Sequence, residues 1–171
     1  MEFLFIEPAN DFSNGKLVLK AYHEDFKKRG KQLLETVASI QKQGMTAELA
    51  QNCVAFYCQY SIANQLHQQD EEMLVFPLAV QTEPELREII KHLEVEHEEI
   101  NKLWDALTEQ LTEPEEVDDF ETLQSLIVEF ELKQREHLER EEQMLLPKIT
   151  ALFNESQWQA LGIEMEKSRN A

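Results

Sequence analysis

His67-Gln68-Gln69-Asp70-Glu71-Glu72-Met73-Leu74-Val75-Phe76-Pro77 returns seventy residues later as His137-Leu138-Glu139-Arg140-Glu141-Glu142-Gln143-Met144-Leu145-Leu146-Pro147. Both stretches read H-x-x-x-E-E-x-x-x-(F/L)-P, each at the end of a long segment with helical hydrophobic spacing. The segments before them echo each other too, as His23-Glu24-Asp25-Phe26 and His97-Glu98-Glu99-Ile100. The chain is thus two helical hairpins of one design, each contributing a lone His and a His-x-x-x-Glu.

Working outward, the apolar spacing predicts a helix over Leu17–Gln43, a break at Gly44-Met45-Thr46 with Thr46 as cap, and a second helix from Ala47 to about Phe76. Pro77 is expected to end or kink it. Thr82-Glu83-Pro84-Glu85 reads as a capping box opening a third helix to about Leu111. Thr112-Glu113-Pro114-Glu115 repeats that signal before a fourth helix from about Asp118 to Leu146, checked by Pro147. A shorter helix follows from Ser156 to Lys167, with Asn154 or Ser156 as its cap, and only Phe3–Ile6 has any strand character. The expected fold is all-α: an antiparallel up-down-up-down four-helix bundle over about 16–148, with an N-terminal arm at 1–15 and an extra C-terminal helix at about 155–168, all in one domain.

In an antiparallel hairpin, two residues share a height when the turn falls midway between them. The midpoints of the pairs 23/67, 67/97 and 97/137 are 45, 82 and 117, each inside a predicted break. His23, His67, His97 and His137 are therefore expected at one level. Residues i and i+4 lie about 6 Å apart on nearly the same helix face. Glu71 and Glu141 then project toward the same layer as their histidines. Two uncompensated carboxylates in a bundle core are costly, and a cation satisfies them. Imidazole and carboxylate without thiolate suit Fe, Mn or Zn. Four His and two bridging Glu, with a bridging oxo or hydroxo, leave two octahedral ions short of full coordination, which points to binding of a small molecule.

Composition narrows the alternatives. Against 34 acidic residues stand 16 basic ones, a formal net charge of −18, and 42% of residues are hydrophobic. Such a surface repels phosphate backbones and anionic lipid, so nucleic acid and membrane are not expected partners. Cys53 and Cys58 form no CxxC, and the stretch MEFLFIEPANDF lacks a secretory pattern, which together suggest a reduced, cytoplasmic protein.

His, then His-x-x-x-Glu, then His, then His-x-x-x-Glu on successive helices resembles the hemerythrin-like (HHE cation-binding) family, over about His23 to Pro147. The resemblance implies a non-haem di-iron centre on His23, His67, Glu71, His97, His137 and Glu141, with the glutamates bridging. It implies binding or sensing of O2 or NO, or a part in iron and oxidative or nitrosative stress. Iron–sulfur cluster repair or iron donation is the alternative within the family. Oxygen carriers of the family have a further histidine four residues before the third-helix ligand, where this chain has Leu93, and their last carboxylate comes five residues after its histidine, where Glu141 comes four. The six-ligand version looks like the sensor and repair branches. Two other readings are a ferritin-like di-iron carboxylate protein, matched only by Glu94-x-x-His97, and a metal-free acidic helical adaptor.

The remaining residues carry blander expectations. His92 falls off the ligand face. Glu72 and Glu142 are expected to be solvated flanking charges. Gly30 and Trp104, each seven residues after a lone His, suggest complementary packing. Tyr60, seven before His67, is either a core residue or one that reaches the site, and Cys53 and Cys58 are expected as separate buried thiols.

Overall fold

The computed structural model describes residues 3–170; Met1 and Glu2 of the expected arm, and Ala171, lie outside the described residues. The chain is all-helical, with no strand among the described residues. Four long helices form its body: α1 (Gly15–Gln43), α2 (Ala47–Asp70), α4 (Arg87–Thr112) and α5 (Phe120–Arg140). Between them, α3 (Phe76–Thr82) prolongs α2 beyond a π turn at Glu71–Val75, and α6 (Leu146–Leu152) prolongs α5 beyond a π turn at Glu141–Leu145. The chain closes with α7 (Glu155–Arg169).

Helix α1 packs against α2 and α5, and α4 packs against the same two, so the four enclose a common core. Each presents an apolar stripe to it, such as Leu19, Phe26, Leu33 and Ile40 on α1 and Leu93, Ile100, Leu107 and Leu111 on α4. The first break follows from its sequence. Gly44 takes φ +84°, closing α1 with its N–H on the Ile40 carbonyl, and the Thr46 hydroxyl caps α2 by accepting from the Leu49 N–H.

Neither Pro77 nor Pro147 ends its helix. Each lies in the first turn of a continuing helix, where its missing N–H is tolerated, and the preceding π turn gives its ring room. The expected capping box at Thr82 is not formed either. Thr82 belongs to α3, its hydroxyl donating to the Leu78 carbonyl, and Pro84–Leu86 is a single 3-10 turn leading into α4. Thr112 likewise turns its hydroxyl back on Thr108. Asp119 and Asn154 cap α5 and α7. Phe3–Ile6 forms no strand; its Ile6 backbone pairs with the Gln59 side chain instead, with N–H donated to Oε1 at 3.0 Å and carbonyl accepting from Nε2 at 2.7 Å.

Candidate metal centre

All six residues singled out by the repeat converge. Two groups of potential ligand atoms, each within 4.8 Å of one another, are His23, His67, Glu71 and Glu141, and Glu71, His97, His137 and Glu141. The two carboxylates belong to both groups. The imidazoles pair across the core, His23 with His67 at 5.0 Å between ring centres and His97 with His137 at 4.7 Å. Glu71 Oε1 lies 3.2 Å from Nε2 of both His67 and His97. Glu141 stands 3.3 Å from His23 Nε2 and 3.5 Å from His137 Nε2. Nε2 is thus the inward nitrogen on all four rings.

Burial makes this arrangement costly without a cation. The four histidines are 2–3% exposed and the two glutamates 0–1%. Both oxygens of Glu71 and Glu141 and Nε2 of every one of the four rings lack a hydrogen-bond partner. Buried polar atoms in that state each cost on the order of 1–3 kcal/mol. Protons fill the place of a cation only in part. Burial opposes a charge on His23, but Glu141 and Glu142 outweigh it and raise its imidazole to about 10. Burial and that neighbouring cation drive His67 well below the ordinary range. Burial and the facing Glu141 push Glu71 well up; Glu141 itself, despite burial, is held well down by the charge of His23. Ligand types, burial and unpartnered atoms therefore fit a pair of metal cations with shared carboxylates.

Around this layer lies a ring of partners, part of which the sequence reading missed. His97 Nδ1 is 3.0 Å from Glu72 Oε1, and His23 Nδ1 is 3.5 Å from Glu142 Oε1. Glu72 and Glu142 are not merely solvated flanking charges. They face the outer nitrogens of the imidazoles, and His23 together with Lys27 lowers Glu142 to about 2. His137 Nδ1 is 3.0 Å from Glu96 Oε1, which Arg140 pairs in turn. Glu96 escaped the sequence reading. Its signal is a carboxylate one residue before His97, on the side of α4 that faces α5. His92, 56% exposed, lies outside the layer with Nε2 3.8 Å from Glu96 Oε2. Glu94, the glutamate of the lone Glu-x-x-His, joins neither group.

Above the layer, Phe26 meets His67 at 5.3 Å and Tyr60 at 5.5 Å, and Tyr60 lies 4.6 Å from Trp104 and 5.1 Å from Phe130. Tyr60 is a core residue whose hydroxyl donates to Gln134 Oε1 at 3.1 Å. Gly30 does not complement Trp104. A Cβ there would stand 2.2 Å from Glu131 Oε2, so the missing side chain makes room for a buried carboxylate from α5. Cys53 and Cys58 are both free, the first buried and the second half-buried.

The sequence profile of the hemerythrin HHE cation-binding domain matches residues 16–149. The chain belongs to that family. A protein of Haemophilus influenzae described as uncharacterised is 31% identical over 96 residues, which are 56% of this chain and 56% of that protein. The chain thus matches little more than half the length of that curated relative. The family is described as cation-binding, and the matched stretch contains all six residues of the layer. No helix among the described residues is long and apolar enough to cross a membrane.

Proposed function

We propose that this hemerythrin-like chain is a cytoplasmic non-haem di-iron protein that binds or senses a small diatomic molecule, O2 or NO, or serves in iron and oxidative or nitrosative stress handling. The metal ligands in this reading are His23, His67, His97 and His137, with Glu71 and Glu141 bridging two iron ions; Mn or Zn is compatible with the same donors. The arrangement that places them is an antiparallel up-down-up-down four-helix bundle forming one domain. One observation carries the reading: two buried four-residue groups share two carboxylates. A structural site needs one closed shell, whereas six protein ligands spread over two octahedral ions leave positions for an exogenous molecule.

Iron in such a site supplies redox-active, Lewis-acidic centres to that molecule. The chain's own residues supply the surroundings. Phe26 and Phe76 pack on the His67 and His97 rings and keep bulk water away from them. Leu93, fully buried where the oxygen carriers have a further ligand, offers no donor. Enclosure of the layer restricts the visitor to a few atoms, which favours a diatomic over an organic substrate.

The test is metal analysis after iron-replete expression, followed by absorption spectra of the reduced protein before and after O2 or NO. Two irons per chain and a new charge-transfer band are expected. A chain that emerges free of metal supports the adaptor reading instead, and iron that answers neither gas supports storage or donation.

A further inference from the structure

Three of the four histidines of the layer have a carboxylate facing their outer nitrogen: Glu142 for His23, Glu72 for His97 and Glu96 for His137. His67 has none: its nitrogens, like those of His23, lack a hydrogen-bond partner, and no carboxylate faces its Nδ1 as Glu142 faces that of His23. On its outer side the ring is held by packing. Tyr22 stacks on it at 5.7 Å with the planes 12° apart, and Phe26 meets it edge-on.

Tyr22 is itself held from outside the stretch that matches the family. Its hydroxyl donates to Glu7 Oε1 at 2.9 Å, and the Arg169 guanidinium lies 5.2 Å above its ring. Arg169, at the end of α7, donates to the same Glu7 oxygen at 2.9 Å. Its two terminal nitrogens grip Asp70 in a fork, at 2.8 Å to Oδ1 and 2.6 Å to Oδ2. Asp70 is buried and immediately precedes Glu71 in the π turn. Close approach of the chain ends makes this possible, for a Cβ on Gly162 of α7 would stand 2.3 Å from the Phe12 carbonyl.

The second hairpin has the same device with its charges exchanged. Arg140 occupies the position before Glu141 that Asp70 occupies before Glu71, and its partner is Glu96, which faces His137.

We propose that Arg169 is a positioning residue that clamps the His23–His67 half of the ligand set, as Arg140 clamps the His97–His137 half. The inference rests on the reading of these six residues as the ligands of two ions. Without Arg169, Tyr22 loses the cation over its ring, the π turn loses its anchor at Asp70, and the one face-to-face stack on the His67 ring loses its support. Residues that orient metal ligands from outside typically change affinity 10–100-fold.

The experiment is anaerobic titration with Co2+ alone, read by visible absorption and by metal retained after gel filtration. Wild type is expected to take up two equivalents. In a His137→Ala background, which spares the His23–His67 half, Arg169→Met is expected to weaken the remaining equivalent at least tenfold. In a His23→Ala background the same change is expected to leave affinity within about threefold. Arg140→Met should show the opposite preference. Arg169→Lys keeps the charge without the fork and should recover only part of the loss. Tyr22→Leu, which leaves the Arg169–Asp70 fork in place, should weaken the same half and supplies the test if Arg169→Met does not fold. Equal losses in both backgrounds, or no loss in either, overturn the clamp while leaving the ligand reading intact. Failure of wild type to bind two Co2+ ions overturns the ligand reading itself.

Discussion

Replacing Glu131 by Gln tests whether the core contains a carboxylate that the fold accommodates at a cost. Glu131 is 6% exposed, and its side chain lies against the Gly30 backbone between α1 and α5. Among the described residues no cation is within ion-pairing distance of it: Lys27 pairs with Glu142 and Arg29 with Asp25. Burial raises its carboxyl from the ordinary 4.5 to about 7, with Arg135 opposing the rise. Because the native value lies above the unfolded one, the native state binds more protons between pH 4.5 and 7. The penalty is absent below that window, grows as pH rises through it and is complete above. At 1.36 kcal/mol per pH unit, the full penalty is about 3 kcal/mol. Glu131→Gln should therefore stabilise the metal-free protein by about 2–3 kcal/mol at pH 8, shrinking toward zero near pH 4.5. Urea unfolding of both proteins at several pH values measures this directly. A variant no more stable at pH 8, or an advantage that widens on acidification, refutes the reasoning.

Two further outcomes follow from the same structure. Gly30→Ala places a Cβ within 2.2–2.5 Å of three Glu131 atoms. It should cost stability in the wild type, yet become stabilising by about 1 kcal/mol in a Glu131→Ala background, where only the helix-propensity gain remains; thermal melts of the four proteins of that cycle read the sign change. Glu71→Gln removes one of two facing buried carboxylates. Thermal melts of the metal-free variant should show it at least as stable as the wild type, while metal analysis should show loss of the second ion; a variant that retains two ions would contradict the shared-carboxylate reading.

The layer was legible in the sequence because the two quantities that set it, hairpin midpoints and the i to i+4 step, depend only on chain count. Breaks at Gly44, at Glu83–Leu86 and at Glu113–Asp119 together bring His23, His67, His97 and His137 to one height. What surrounds the layer depends on angle. Glu72 and Glu142 lie one residue beyond Glu71 and Glu141, a position that an ideal helix turns aside. The π turns at Glu71–Val75 and Glu141–Leu145 change that local geometry, and the spacing of apolar residues carries no sign of them. Glu131 and Gly30 were opaque for another reason. Sequence distance gives no indication that a glycine on α1 stands opposite a glutamate on α5, and Trp104 was the more conspicuous partner by size.

The π turns also bear on why each proline follows Glu71 or Glu141 by six residues. A proline N carries no hydrogen, and in strict α register its ring meets the carbonyl four residues back. Widening the helix by one residue relieves that collision, and here Phe76 and Leu146 donate their N–H groups to the carbonyls of Glu71 and Glu141, five residues back. The wide turn thus begins on the buried glutamate itself. Val75 and Phe76 are then both buried, and Phe76 stacks on His97 at 6.0 Å, with 15° between the planes. In the first repeat, the wide turn ahead of Pro77 lets one helix present Glu71 to the layer and, five residues later, the Phe76 ring that packs on His97 of the neighbouring helix.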